Sequence, residues 1–339
     1  MTVDPTRALA PVIRLAPAKV NLTLAVLGVR PDGYDDLHSV MVPLDLADRL
    51  SVAVLPPGSA DTLHVDGFDP GPVADNLVLR AIAAARTAAR VEWGRAEPPP
   101  PLAARLEKRI PIAAGLAGGS SDAAAAVDAA LEAWGVTLDP EARHRIAASL
   151  GSDVPFFLAG GPALAEGRGE RLTPLGWLRD AGERNDRPSL LIVTPSCGIS
   201  TPAAFRAWDD GARVGGGAAR MASAHLAEEL RKGLRLADLM ARASVLAAAN
   251  DLAPAAMVVE PGLVPFKRAL LRLLKVPVGI SGSGPTHWAL YPSHAEAAAA
   301  ADIVRAAIDA GDLVAPGPRE PVVAATRILA PQGASRRER

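Results

Sequence analysis

The stretch that decides the fold is Ile110-Pro-Ile-Ala-Ala-Gly-Leu-Ala-Gly-Gly-Ser-Ser-Asp122, a glycine-rich loop leading into an alanine-rich segment. Because glycines lack side chains, backbone N–H groups can close around an anion, and the positive dipole end of the following helix points to the same place. Ser120 and Ser121 suit the cap and first turn of that helix. The segment predicts a phosphate-binding loop. Its glycine spacing matches neither the P-loop nor the dinucleotide-binding fingerprint, and a plain strand-to-helix turn is the alternative.

The apolar pattern around the loop places most strands before the helices. The predicted strands lie at 20–29, 40–46, 50–54 and 102–110, with a turn at 30–33. The predicted helices lie at 76–93, at 120–134 and from Asp139-Pro140 onward. This is an α+β order rather than the regular alternation of a doubly wound nucleotide-binding fold.

The second half predicts a separate α+β domain. Residues 176–188 are polar and loop-like, and the apolar run 190–194 begins a new strand. A strand pair is predicted within 279–291, a helix up to 310 and a last strand at 324–329, so that helices cover a small antiparallel sheet. We therefore predict domains at 1–175 and 176–330 and a disordered tail at 331–339.

Composition limits the class of protein. The chain has 339 residues and a formal net charge of -1, without a basic stretch interleaved with aromatics, so we expect no nucleic acid partner. One cysteine, Cys197, excludes an internal disulfide, and six scattered histidines predict no structural metal site. No uncharged stretch is long enough to span a bilayer. We expect a cytoplasmic protein without a membrane partner, a monomer or a weak homodimer acting on small molecules.

Two further segments carry side chains that suit phosphoryl transfer to an alcohol, which needs cations and a group that deprotonates the hydroxyl. Pro17-Ala-Lys-Val-Asn-Leu-Thr23 places Lys19 and Asn21 on one face of a strand. Gly151-Ser-Asp-Val-Pro-Phe-Phe157 places Asp153 in a turn before an apolar run. Taken singly, an edge lysine and a turn-capping aspartate are the commoner interpretations. Taken together, they fit a lysine that keeps a basic carboxylate ionised.

These segments, together with Arg30-Pro-Asp-Gly-Tyr34, Asn250-Asp-Leu252 and Gly282-Ser-Gly284, occur in an order that resembles the GHMP small-molecule kinases. The resemblance runs from about residue 16 to about residue 289. It implies an N-terminal ribosomal-protein-S5-like domain and a C-terminal ferredoxin-like domain, both α+β. It also implies transfer of phosphate from ATP, with Mg²⁺ accompanying the nucleotide. The members that it resembles most phosphorylate the 2-hydroxyl of a cytidine-diphosphate-linked methylerythritol, on the non-mevalonate route to isoprenoid precursors.

The resemblance assigns a role to each matching residue. It makes Asp153 the general base and Lys19 the cation beside it. The ATP-binding residues that it implies are Asn76, Lys108, Pro111, Ala114, Gly115, Leu116, Ala117, Gly118, Gly119, Ser120 and Ser121. The substrate-binding residues are Asn21, Tyr34, Asp35, Thr201 and Phe205, and the residues supporting the loop are Ser281, Gly282 and Gly284. The cytidine would lie between Tyr34 and Phe205, although Phe205 also fits a core position on a helix face. No residue is assigned as a metal ligand.

Two departures from the family pattern bear on specificity. Asp35 stands where the family usually has a histidine that recognises cytosine, and Ala113, Ala114 and Ala117 stand where relatives often have glycine. A homoserine or mevalonate type of GHMP kinase is therefore one alternative. A non-catalytic nucleotide-binding regulator is another, which the presence of both Lys19 and Asp153 argues against. His287 is interpreted as a packed histidine rather than a catalytic one.

Overall fold

The structure is a computed structural model that describes residues 10–94, 97–176, 178–180, 187–212 and 216–331. The strands are β1 (Val12–Asn21), β2 (Ala25–Val29), β3 (Asp35–Val54), β4 (Thr62–Gly67), β5 (Leu102–Lys108), β6 (Ala163–Gly167), β7 (Arg171–Pro174), β8 (Ser189–Thr194), β9 (Gly279–Ile280), β10 (His287–Tyr291) and β11 (Val322–Arg327). The α-helices are α1 (Leu77–Trp93), α2 (Gly118–Trp134), α3 (Pro140–Leu150), α4 (Val154–Ala159), α5 (Thr201–Ala207), α6 (Gly216–Lys232), α7 (Leu236–Ala241), α8 (Ala243–Ala248), α9 (Leu252–Val259), α10 (Leu263–Leu274) and α11 (His294–Asp309).

The chain packs into two compact units that do not follow its linear order. The first unit comprises the residues up to Pro17, Ala47–Ile112 and Gly118–Leu158. The second comprises Ala18–Leu46, Ala113–Ala117 and the residues from Ala159 onward. The domain boundary at 175/176 stays a prediction. The tail predicted at 331–339 lies, after residue 331, outside the described residues.

In the first unit, β4 pairs parallel to β5, and the last part of β3 pairs antiparallel to β5. Helices α1, α2 and α3 pack with these strands around a core of alanine, leucine and valine side chains. The predicted start of α1 is confirmed, because the Asn76 side chain accepts from the Val78 N–H at 2.9 Å and Gly94, at φ 64°, ends the helix. Asp139 caps α3 in the same way, as predicted.

The second unit contains the predicted antiparallel sheet, with strand order β11-β8-β10-β9. Helices α10 and α11 pack on it through Phe266, Leu270 and Val304. His287 is packed as predicted: it is 1% exposed and its ring meets Phe266 edge to face at 5.2 Å. Burial lowers the pKa of His287 to about 3, so this imidazole stays neutral. Among the described helices none is long and apolar enough to cross a membrane.

Some predicted strands and helix ends differ from those of the structure. The strand predicted at 20–29 is two strands, because Leu24 leaves the ladder to exchange hydrogen bonds with Ala249 and Asp251. The strands predicted at 40–46 and 50–54 are one strand, β3, because the charge of Asp48 that interrupts the apolar pattern is buried with a partner. Helix α2 begins at Gly118 rather than Ser120. Strands β4, β6 and β7 were not predicted at all.

Candidate active site

In the first unit, the first turn of α2 brings together the second half of the glycine-rich loop. Gly118, Gly119 and Ser120 lie in this turn, where backbone N–H groups lack partners inside the helix. A Cβ on Gly118 would lie 3.0 Å from Ile110 Cγ2 and 3.1 Å from Lys108 Nζ, whereas Gly119 is exposed. Ser121 is 1% exposed, and its Oγ has no hydrogen-bond partner within the described residues. The turn therefore offers several donors and a cramped, side-chain-free surface, which are the features of an anion site.

Beneath this turn, Lys108 is buried between two carboxylates. Its Nζ is hydrogen-bonded to Asp48 and lies 2.7 Å from Asp122 Oδ2, and all three side chains are at most 4% exposed. Asp48 also accepts from the backbone N–H groups of Arg109 and Ile110 and so fixes the start of the glycine-rich loop. Neither Asp48 nor the burial of Asp122 against Lys108 was predicted from the sequence. The predicted role of Lys108 in ATP binding stays a prediction. Its ammonium group already has two protein partners.

The two carboxylates of this cluster differ in the number of hydrogen bonds that they accept. Asp48 accepts two backbone N–H groups besides Lys108, whereas Asp122 Oδ1 is buried without a hydrogen-bond partner in the part of the chain that the structure describes. Burial raises the pKa of Asp122 to about 7, against the opposing effect of Lys108 and with a further raise from Asp48. Burial thus favours the protonated form of Asp122 more than it would for a solvent-exposed carboxyl.

In the second unit, three sequence motifs meet around Lys19. Lys19 lies near the end of β1, whereas the strand predicted from the sequence began after it, at residue 20; its side chain is buried, with 4% of the residue exposed. Its Nζ donates to Asn21 Oδ1 at 2.6 Å, and Asn21 Nδ2 donates to Ser39 Oγ at 2.8 Å. The Lys19 backbone N–H donates to Leu116 O at 3.0 Å, so the first half of the glycine-rich loop lies against this strand. Asn21, predicted as a substrate contact, has both polar atoms of its amide engaged in positioning Lys19.

The loop also packs tightly on the turn Ser281–Gly284. Ser281 Oγ donates to Gly115 O at 2.9 Å, and the Asn21 N–H donates to Ser281 Oγ at 3.3 Å. A Cβ on Gly115, which has φ +77°, would lie 2.2 Å from Ser281 O, and a Cβ on Gly284 would lie 2.3 Å from Ala114 C. These two glycines are therefore required by the close approach of two backbones. The sequence interpretation had explained Gly115 only by anion binding.

Two alanines of the loop adopt a backbone conformation that disfavours side chains. Ala113 has φ 52° and Ala117 has φ 54°, the left-handed region, where a residue other than glycine costs about 1–2 kcal/mol. Ala117 directly precedes the first residue of α2. The loop therefore contains local backbone strain at Ala113 and Ala117. Strain of this kind is typical of functional sites.

The Asn250 side chain stabilises the turn Ser281–Gly284 by hydrogen bonds to the backbone. Its Nδ2 donates to Ile280 O at 2.8 Å and to Gly282 O at 2.9 Å, while its Oδ1 accepts from the Leu252 N–H at 2.9 Å. The side chain is 6% exposed, so these bonds are protected from water. The motif Asn250-Asp-Leu252 thus has a structural role in shaping the turn.

The residues predicted to bind the substrate lie in the second unit. Tyr34 follows the turn at 30–33 and is 54% exposed, with the Arg168 guanidinium over its ring at 4.9 Å from the centroid. Asp35 begins β3 and is half-buried. Thr201 is exposed, and its Oγ1 accepts from Ser283 Oγ at 3.0 Å. Phe205 packs beside Leu24, Val26, Trp208, Leu252 and Ala255. Phe205, the second ring predicted to stack on the cytidine, is therefore also packed against an apolar cluster. The stacking itself stays a prediction.

The remaining predicted residues lie in the first unit. Asp153 is half-buried and directly precedes α4, in a turn closed by a bond from the Val154 N–H to Gly151 O at 3.3 Å. The side-chain Oδ1 of Asn76 caps α1, which leaves the side-chain NH₂ as the group that can donate to a ligand. A cavity of about 270 Å³ precedes Asn76 in the chain, lined by Leu63, His64, Val65, Gly67, Phe68, Asp69, Pro70, Gly71 and Val73. Pro111 and Leu116 are buried.

Comparison with known proteins defines the class. The family described as "GHMP kinases N terminal domain" matches residues 76–161, and the family described as "GHMP kinases C terminal" matches residues 226–310. The fold is that of a two-domain GHMP kinase. A homoserine kinase from Cytophaga hutchinsonii shares this fold with a TM-score of 0.66 at 19% identity, covering 97% of each chain.

Closer relatives narrow the class further. A 4-diphosphocytidyl-2-C-methyl-D-erythritol kinase of Pelotomaculum thermopropionicum is 39% identical over 277 residues, which are 81% of this chain and 88% of that protein. A crystal structure of 4-(cytidine 5'-diphospho)-2C-methyl-D-erythritol kinase has a TM-score of 0.67 and 31% identity and covers 93% of this chain and 99% of that one. The chain belongs to the 4-diphosphocytidyl-2-C-methyl-D-erythritol kinase family of ATP-dependent GHMP kinases.

Proposed function

We propose that the chain transfers a phosphoryl group from ATP to the 2-hydroxyl of 4-diphosphocytidyl-2-C-methyl-D-erythritol, a step of the non-mevalonate route to isoprenoid precursors. One observation carries the proposal: Lys19, the Gly115 segment and the turn at Gly282 come together in one unit although they are far apart in sequence. The relatives at 39% and 31% identity bear the name of this activity, while the homoserine kinase shares only the fold.

The first turn of α2 fits a nucleotide phosphate. Gly118 leaves no room for a side chain beside Lys108, and the buried Ser121 Oγ can donate to a phosphate oxygen. The helix N-terminus adds its unpaired N–H groups and its dipole. Magnesium would enter with the nucleotide and neutralise its phosphate charge, and no side chain is assigned to it. The cavity preceding Asn76 is our proposal for the adenine end.

The proposal assigns Asp153 as the base that takes the proton of the substrate hydroxyl and Lys19 as the cation that stabilises the charge on the transferred phosphoryl group. Both assignments come from the family resemblance. The hydrogen bond from Lys19 Nζ to Asn21 supports the assignment of Lys19, because Asn21 is itself held by Ser39 and so fixes the position of a flexible ammonium group. Tyr34, Asp35, Thr201 and Phe205 are proposed to bind the cytidine and methylerythritol diphosphate parts.

The test is release of ADP from ATP, with Mg²⁺ and the diphosphocytidyl substrate, by the full chain. We expect Asp153→Asn to lower kcat by about 10²- to 10⁴-fold, as loss of a general base does, while ADP affinity stays within about twofold. Asp128→Asn is the matched control, since Asp128 pairs with Arg143 on the surface of the same unit. Normal turnover by Asp153→Asn would remove it as the base.

The acceptor is tested separately. Homoserine and mevalonate, the acceptors of the alternative GHMP types, are offered in place of the diphosphocytidyl substrate. A higher kcat/KM with either would overturn the proposed substrate. Asp35→His then probes the departure from the family: a lower KM for the diphosphocytidyl substrate would show that Asp35 weakens cytosine recognition, and an unchanged KM would indicate contact through the backbone.

A further inference from the structure

The β6–β7 hairpin presents an arginine to the ring that is proposed to meet the cytosine. Arg168 lies at the tip of the sequence Glu166-Gly-Arg-Gly-Glu170, between the last residue of β6 and the first of β7. Its guanidinium carbon lies over the Tyr34 ring, 4.9 Å from the centroid. This distance is within the range of a cation–aromatic interaction.

The hairpin tip is built to hold this arginine in place. The Arg168 backbone N–H donates to Glu170 Oε2 at 2.6 Å, and the Gly169 N–H donates to Glu166 O at 3.2 Å. Gly167, at φ +71°, is packed so closely under the Glu170 carboxylate that a Cβ would lie 2.8 Å from Oε1. The Glu170 carboxylate therefore folds over the turn and fixes its backbone, so the position of Arg168 does not depend on Tyr34 alone.

Arg30, which follows β2, is occupied by carboxylates. Arg30 bonds to Asp32 at 3.2 Å and lies 3.7 Å from Asp36, and the Tyr34 N–H donates to Asp32 at 3.3 Å. By contrast, Arg168 Nε is 4.0 Å from Glu170, and its guanidinium covers the aromatic face. Tyr34 remains 54% exposed with this cover in place, so ring surface stays open to a ligand.

We propose that Arg168 is a positioning residue for substrate recognition: it covers one face of Tyr34 and fixes the ring, so that the cytosine base stacks on the open face. The inference rests on the proposed function, because it takes Tyr34 as the contact to the base. Rings fixed in advance lose less freedom on binding, which is a gain in affinity rather than in rate. Arg168 therefore acts on the KM of the cytidine-bearing substrate and not on the chemical step.

The experiment compares steady-state kinetics of wild type, Arg168→Ala and Arg168→Lys, with cytidine diphosphate as a competitive inhibitor. Arg168→Ala should raise the KM of the diphosphocytidyl substrate and the Ki of cytidine diphosphate by about two- to fivefold, the size expected of an exposed cation–aromatic contact. We expect kcat and the KM of ATP to change by less than twofold. Arg168→Lys should recover part of the loss, and Arg171→Ala, an exposed arginine at the start of β7, is the matched control without effect.

A double-mutant cycle with Tyr34→Leu separates this role from a direct one. If Arg168 acts through Tyr34, Arg168→Ala has no further effect in the Tyr34→Leu background, and the two changes are not additive. Additive effects, or an unchanged KM in Arg168→Ala, overturn the inference. Wild-type turnover of the diphosphocytidyl substrate is measured first, so failure of the proposed function is recognised independently.

Discussion

Replacing Lys108 by methionine tests the buried charge cluster beneath the glycine-rich loop. Methionine keeps most of the length of the lysine side chain but removes the ammonium group, which leaves Asp48 and Asp122 without their shared cation. Both carboxylates are at most 4% exposed, so water cannot replace the lost partner. Removing one member of a buried ion pair costs about 3–5 kcal/mol, a large share of a total stability of about 5–15 kcal/mol.

The size of this loss should depend on pH. Without Lys108, no cation opposes the effect of burial on Asp122, so the folded-state pKa of this carboxyl lies still further above its unfolded-state pKa. The folded state then binds more protons, and its stability falls as the pH rises through the folded-state pKa. We therefore expect the full loss of about 3–5 kcal/mol at pH 8 and a clearly smaller loss at pH 5.

Urea unfolding at the two pH values measures this, with tryptophan fluorescence as the signal because Trp93 and Trp134 lie in the same unit. Arg105→Met is the matched control on the same strand, since Arg105 pairs with Asp66 at 2.9 Å but is 63% exposed. Such surface pairs contribute about 0–1 kcal/mol. A loss in Lys108→Met no larger than in Arg105→Met, or one that is equal at both pH values, would refute the reasoning.

Three further predictions concern the same loop and turn. Because burial raises the pKa of Asp122 to about 7, the wild type loses stability between pH 4 and pH 8 as this carboxyl ionises. The asparagine of Asp122→Asn cannot ionise, so the stability of this variant relative to wild type should rise by up to about 4 kcal/mol from pH 4 to pH 8. A pH-independent difference in urea unfolding contradicts this. Gly284→Ala should lower the melting temperature and the turnover because its Cβ would lie 2.3 Å from Gly115 N, whereas Gly217→Ala, with open space around it, should do neither. Asn250→Ala should lower the free energy of unfolding by about 2–4 kcal/mol, because the carbonyls of Ile280 and Gly282 lose their donor. Asn250→Asp should be destabilised as well, since a carboxylate cannot donate. A melting temperature equal to that of wild type in either variant would show that the turn does not depend on this side chain.

Features encoded within a few neighbouring residues could be predicted from the sequence. The starts of α1 and α3 were predicted, and the structure shows Asn76 and Asp139 capping these helices, because a cap needs only the N–H groups two or three residues ahead. The glycines of the loop predicted a side-chain-free backbone before a helix, and the motif order identified the family. The predicted catalytic and binding roles, including those of Lys19 and Asp153, stay predictions.

Tertiary structure decided the features that join distant parts of the chain. Asp48 interrupts an apolar strand pattern and was missed, because the residue that pairs with it, Lys108, lies 60 positions further along the chain. Gly115 was interpreted through a ligand, yet its missing side chain is also required by the backbone of Ser281. The sequence alone thus determined the helix starts, the glycine-rich loop and the family, since caps and turns act over short range. Only the folded chain decided which buried charge meets which partner, because desolvation makes that pairing obligatory and its distance in sequence is unrestricted.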